Sequence, residues 1–217
     1  MGIPVLVLGE SGSGKSASLR NFDIDEVGIF NVASKPLPFR KELKKIDGAT
    51  YDAIIRTLKQ PKLKTYVIDD SQFLMAFELF DRAKEVGYGK FTDIAVDFRN
   101  LLQFVVSNIP SDVIVYFLHH TEQTDTGKIK AKTSGKMLDN QLTLEGLFSI
   151  VLRAETDGQR YYFRTQSNGF DTCKSPMEMF EKEIDNDLKF VDTTIREYWG
   201  LNKKQNNTKK DEGEKIS

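Results

Sequence analysis

The chain has 217 residues with 31 basic and 32 acidic side chains, a formal net charge of −1. That balance excludes a global attraction to nucleic acid or anionic membrane, so any such site must be a local patch. Its 39% hydrophobic and 29% charged residues suit one α/β domain, no apolar run reaches the roughly 18–20 residues that span a bilayer, and the single cysteine, Cys173, excludes an intramolecular disulfide and a cysteine-built metal site.

The amino-terminal run MGIPVLVLGE has no basic residue ahead of its apolar stretch, so it is expected to be a first core strand over residues 3–8 and not a signal peptide. It leads directly into Gly9-Glu10-Ser11-Gly12-Ser13-Gly14-Lys15-Ser16, which fits G-x-x-x-x-G-K-[ST], the phosphate-binding P-loop. The glycines permit unusual φ values and close approach of main chain to an anion. The N–H groups that open the following helix, through Ala17, have no intrahelical acceptor and are expected to face phosphate oxygens. Lys15 supplies a cation for the β/γ oxygens, and the Ser16 hydroxyl a ligand for Mg²⁺. That helix is expected to end near Asn21.

Residues 27–32 read as a second strand, and Lys35-Pro36-Leu37-Pro38 as an extended loop. Tyr51, Ile54, Ile55 and Leu58 recur at helical spacing before Pro61. Thr65-Tyr66-Val67-Ile68 then ends in Asp69-Asp70. An apolar strand ending in an acid has the form of the metal-side partner of a P-loop, with Asp69 serving Mg²⁺. Asp70 is the candidate carboxylate that orients or deprotonates an attacking water. Alternatively, Asp69-Asp70-Ser71 is a helix cap. Helices are expected over 71–86 and 93–108, the second with Ile94, Phe98, Leu101, Leu102 and Val105 on its apolar face. Residues 113–118 read as a strand ending at His119-His120, where a polar side chain can read a terminal phosphate.

The loop at 122–136 carries Lys128, Lys130, Lys132 and Lys136. Alternate lysines on an extended segment share one side and can track a phosphate backbone, or else guard an exposed edge. A short helix is expected over 139–144, and a strand over 148–154 that turns at Asp157-Gly158 into a second over 160–165. Closing helices are expected over 176–188 and 190–199, anchored by Phe180, Phe190, Ile195 and Trp199. Residues 1–200 form one expected domain, and 201–217 a disordered charged tail. The fold expected from this order is α/β: a mostly parallel sheet flanked by helices, with a carboxyl-terminal antiparallel hairpin.

The motifs GESGSGKS, YVIDD, FLHHTE and NGFDTCKS resemble the RecA-like branch of P-loop ATPases. Within it the chain is similar to small single-domain AAA-type nucleotide-binding proteins of phages, some related to single-strand annealing recombinases. The resemblance spans roughly residues 2–176 and implies ATP and Mg²⁺ as cofactors. It also implies His119 or His120 as the phosphate sensor and the lysine loop as a contact for single-stranded DNA. A homo-oligomer, ring or filament, follows, in which Lys174 completes a neighbour's site. Pro176 stands where an arginine often follows, which leaves Arg164 as the alternative. The implied activity is ATP hydrolysis in phage recombination or replication, in the cytoplasm of the host and without a membrane. ATP over GTP rests on that resemblance, since the chain has no N/T-K-x-D guanine signature. A small-molecule P-loop kinase and a nucleotide-gated module acting on a protein are the competing readings.

Overall fold

The computed structural model describes residues 1–134 and 143–202. Its strands are β1 (Ile3–Gly9), β2 (Val27–Asn31), β3 (Lys44–Asp47), β4 (Thr65–Asp69), β5 (Ile114–Gln123), β6 (Ile129–Ala131), β7 (Ile150–Thr156), β8 (Tyr161–Arg164) and β9 (Glu183–Asp185). The helices are α1 (Tyr51–Leu58), α2 (Gln72–Asp81), α3 (Gly89–Asn108) and α4 (Leu188–Tyr198).

The main sheet runs β3-β2-β4-β5-β1-β7-β8-β9, with β6 paired to β5 alone. From β3 to β7 all pairings are parallel, whereas β7-β8-β9 are antiparallel. The result is an α/β fold with a mostly parallel mixed sheet flanked by helices, ending in the expected antiparallel hairpin. Strand continuity explains the apolar runs. Leu6, Ile68, Val115 and Phe117 face a layer built by α1, α2 and α3. Their neighbours Val5, Val7, Val67, Tyr116 and Leu118 face a second layer built by Leu19, Phe22 and α4. A strand buried on both faces needs an apolar residue at every position, not every second one.

Several expected elements differ. The segment after the P-loop is a six-residue 3₁₀ turn, Ser16–Asn21, too short to add much helix dipole. The first helix of the acid-ended strand stops at Asp81, where Arg82 gathers Glu78, Glu85 and Asp93 around its guanidinium; α3 begins at Gly89, four positions before the expected start. The helix expected over 176–188 is absent. In its place Glu183–Asp185 adds a strand to the hairpin, and Asp187 caps α4 by accepting from the Lys189 and Phe190 N–H groups. Leu188, Val191 and Ile195 anchor α4, while Phe190 and Trp199 are exposed. The helix expected over 139–144 and the tail at 201–217 fall almost entirely outside the described residues; Leu144–Leu147 is a 3₁₀ turn. Among the described residues no helix is long and apolar enough to cross a membrane.

Candidate functional site

Parallel register brings four strand tips to one edge. Gly9 of β1 lies opposite His120 of β5, and Asn31 of β2 lies opposite Asp69 of β4. Outside these carboxyl ends is a crevice of about 400 Å³ that takes in Gly12, Gly14, Lys15, Ser16, Asp69, Asp70 and His120, with Lys35, Pro36, Pro38 and Tyr161 on its walls. A larger cavity of about 660 Å³ between β2, β3 and α1 holds Lys44, Arg56 and Tyr66 but no carboxylate. The motif chemistry lies in the smaller crevice, at the edge where open α/β sheets bind ligands.

The turn after β1 is built by its glycines. Gly12 and Gly14 have φ of 81° and 92°, values that side chains with a Cβ rarely adopt. A Cβ on Gly14 would also sit 2.9 Å from the Tyr161 ring. Within the turn the Ser13 N–H donates to Glu10 O at 3.2 Å and the Ser18 N–H to Gly14 O at 3.0 Å. The Ser13 hydroxyl is buried and has no hydrogen-bond partner among the described residues. Lys15 curls over the loop, donating from Nζ to Gly9 O at 2.7 Å and Glu10 O at 2.8 Å. Burial lowers its pKa to about 8, against the opposing pull of Asp70 and Asp69.

Ser16 Oγ donates to Asp69 Oδ1 at 2.9 Å. The two residues proposed for the metal therefore share one point in space. Burial raises the Asp69 pKa to about 6, and the negative charge of Asp70 adds to that. One hydroxyl and one carboxylate suit Mg²⁺, a hard cation that keeps several waters and takes its remaining ligands from substrate phosphates. No cluster of three or more His, Cys, Asp or Glu is arranged to hold a metal by protein ligands alone among the described residues.

Asp70 follows with φ 58°, a left-handed conformation that Asp tolerates better than most residues. Lys35 Nζ lies 2.7 Å from its Oδ2 and His120 Nε2 3.0 Å from its Oδ1. Burial pushes the carboxyl up, but the hydrogen bonds from His120 and Lys35 outweigh it and hold the pKa at about 2. With both oxygens accepting, Asp70 is held ionised at the crevice. Ser71 makes no side-chain cap to α2; its main-chain N–H donates to Leu118 O at 2.9 Å and its hydroxyl meets His119 Nδ1.

The histidines separate. Successive strand side chains leave opposite faces, so only one of the pair can reach the crevice. His120 does. His119, one of the two expected as sensor, is fully buried against Phe98, between Ser71 Oγ at 2.9 Å and Lys132 O at 2.8 Å. A carbonyl only accepts, so Nε2 carries the proton and Nδ1 accepts from Ser71. Burial lowers its pKa to about 4. His119 is a neutral structural residue.

The other expected contributors lie apart from the crevice. Lys174 sits on an isolated bridge to Val151, with its main chain bonded there in both directions. Arg164 is committed to Glu155 at 2.9 Å and reaches Glu183 at 3.5 Å. In the lysine loop Lys128 and Lys132 are exposed, whereas Lys130 is half-buried and pairs with Glu122 at 3.0 Å; Lys136 lies outside the described residues. Lys35 was not expected at the site. Its only sequence signal is the Pro36-x-Pro38 run that stiffens the loop beyond it.

No family model matches this chain, and no curated protein matches it.

Proposed function

We propose that this protein is a Mg²⁺-dependent P-loop ATPase of the RecA-like type. The observation that carries the reading is the Ser16–Asp69 contact at 2.9 Å beside the Lys15 ammonium. It joins three motif residues from two strands at one crevice, where a chance match to a glycine-rich turn would leave them scattered. The two left-handed glycines shape the same cradle. Bound there, Mg²⁺ would neutralise charge on the β and γ oxygens. The amides of the turn and Lys15 would hold the polyphosphate, while Asp70 and His120 would position water at its far end.

The interposition of β5 between β1 and β4 supports hydrolysis over transfer to a small acceptor. It sets His120 at a strand tip between the turn after β1 and Asp70, which it meets at 3.0 Å. The lysine loop at 128–132 supports single-stranded DNA as effector, acting through a homo-oligomer, with Lys128 and Lys132 as the solvent-facing cations. A second reading is favoured by the ion pairs on Asp70: a carboxylate held by Lys35 and His120 suits a nucleotide-gated binding module in which turnover is slow.

One experiment separates these. Binding of a fluorescent ATP analogue is measured with and without Mg²⁺, together with phosphate release with and without single-stranded DNA at two salt concentrations. Mg²⁺-dependent binding with DNA-stimulated, salt-sensitive turnover is the expected result. Tight binding without turnover leaves the gated module, and ADP formation without free phosphate, seen only with a small acceptor, leaves the kinase. Absence of nucleotide binding ends the P-loop reading altogether.

A further inference from the structure

We propose that Lys35 is a second phosphate-binding cation of this crevice, supplied by the same chain, that contacts the terminal phosphate of the bound nucleotide. The proposal rests on the polyphosphate reading above and adds a catalytic residue that no motif announces.

Three observations carry it. The first is placement. Lys35 Nζ is held at the crevice wall by two contacts, 2.7 Å from Asp70 Oδ2 and 5.0 Å above the Phe73 ring. It thus stands beside the carboxylate assigned to water.

The second is how firmly the backbone beneath it is held. Asn31, buried at the tip of β2, donates from Nδ2 to Lys35 O at 2.7 Å and accepts the Lys35 N–H at Oδ1 at 3.2 Å. The same Nδ2 also reaches Asp47 Oδ1 on β3. Pro36 and Pro38 fix φ immediately beyond. A buried side-chain amide and two prolines position a lysine whose own side chain is 59% exposed. Only the carboxylate of this pair is buried, at 10% exposure, so the support beneath Lys35 presents an ammonium that still reaches the crevice and solvent.

The third is electrostatic reach. Lys15 and Lys35 both line this one crevice. Two cations converging on one small crevice repel each other, and a polyanion between them removes the cost. The same exchange would move Lys35 from Asp70 to phosphate and leave the carboxylate to His120 and water. Lys174 and Arg164 do not line this chain's own crevice, whereas Lys35 supplies a cation to it from within the chain.

The test uses the full-length protein and three variants: Lys35→Ala, Lys35→Arg and Lys15→Ala. Affinities for ADP and for a slowly hydrolysed ATP analogue are measured by fluorescence titration with Mg²⁺, and turnover at saturating ATP. Lys35→Ala is expected to weaken the triphosphate about tenfold, leave ADP within about twofold, and cut turnover by tenfold or more. Lys35→Arg is expected to keep the preference for triphosphate over diphosphate. Lys15→Ala is expected to lose both nucleotides. Mixing Lys15→Ala with Lys35→Ala is expected to restore nothing, because each intact site needs both lysines in one chain.

Equal losses for ADP and the triphosphate analogue in Lys35→Ala, or no loss of either, would overturn the assignment while leaving the P-loop reading intact. Activity regained on mixing would show that Lys35 acts on a neighbour and would equally overturn it. If the unaltered protein binds neither nucleotide, the polyphosphate reading fails and this inference falls with it. Circular dichroism spectra of both Lys35 variants at the assay temperature, expected to overlay that of the unaltered protein, exclude misfolding as the cause.

Discussion

Ser16 Oγ donates to Asp69 Oδ1 at 2.9 Å across 53 positions of sequence, joining the turn after β1 to the tip of β4. The carboxyl it meets is buried, with a pKa raised to about 6 by burial first and by Asp70 second. A group whose folded pKa is raised above the unfolded value is more costly to keep ionised in the fold, so the carboxylate opposes stability once pH exceeds the unfolded value. Asp69→Asn keeps an acceptor for Ser16 and removes the charge. The expected outcome is loss of Mg²⁺-dependent triphosphate binding with a stability gain of up to about 2 kcal/mol at pH 7. Urea unfolding and nucleotide titration check both halves. Lowered stability with retained Mg²⁺ dependence would remove Asp69 from the metal side.

The two histidines give opposite predictions. His120 reaches Asp70 and edges onto the Phe73 ring at the crevice, so His120→Ala is expected to lower turnover by about a hundredfold. Melting should shift little, because the ring is partly exposed. His119→Ala removes a buried ring that satisfies Ser71 and the Lys132 carbonyl, which is expected to cost about 3 kcal/mol. Thermal melts and initial rates on both variants decide the matter, and a reversed pattern would exchange their roles.

His119 also sets a pH window. Its folded pKa of about 4 lies below the ordinary 6.5, because burial disfavours the charged ring. Between those values the unfolded chain binds the extra proton, so stability is complete above about 6.5 and falls with acidity down to about 4, by roughly 3 kcal/mol in all. Urea midpoints at several pH values should fall more steeply for the unaltered protein than for His119→Asn. That variant still offers one donor and one acceptor. Parallel curves would show that the ring does not titrate across folding.

What could be read along the chain and what could not divide on a physical line. The P-loop, the acid ending β4 and the apolar face of α3 are local patterns: a glycine spacing, a terminal charge, a helical period. They appear in the fold where the residues put them. By contrast β3, Lys44–Asp47, is exposed throughout and lacks alternation; it is a strand because β2 offers it backbone partners. The three-residue β9 alternates, with Ile184 half-buried between two exposed acids, but is too short to read as a strand without the partners β8 offers. Which histidine turns inward depends on how β5 packs against α3, and Lys35 meets Asp70 across 35 positions. No spacing rule covers such contacts. Phe190 and Trp199 misled for a related reason, since aromatic character alone does not reveal which side of α4 faces the sheet.

The lysine loop yields a graded prediction. Lys130 is half-buried and paired with Glu122, so its charge is already partly spent, whereas Lys128 and Lys132 are exposed. Replacing Lys128 and Lys132 with alanine is expected to lower the slope of log affinity for single-stranded DNA against log salt by about 1.4, near 0.7 for each phosphate no longer neutralised. Lys130→Ala should change it by less than either. Filter binding at four salt concentrations measures the slopes, and an unchanged slope in the double variant would remove this loop from any DNA interface.

At the amino ends of the strands, opposite the crevice, Asp192 of α4 is bound from three sides. Thr65 Oγ1 and Tyr116 OH donate to its Oδ1 at 3.0 and 3.1 Å, and Arg196 Nε donates to Oδ2 at 2.6 Å. The guanidinium also donates to the carbonyls of Lys64 and Asp112, so one ion pair stitches α4 to the starts of β4 and β5. Breaking a buried pair by removing one partner leaves a charge without compensation, at a cost of about 3–5 kcal/mol. For a chain of this size Arg196→Ala should lower Tm by about 6–20 °C. Triphosphate affinity at 20 °C should stay within about twofold, because the network and the crevice occupy opposite ends of the same strands. Calorimetry and nucleotide titration test the two statements together. A large loss of affinity in a variant that remains folded would mean that the two ends of the sheet are coupled.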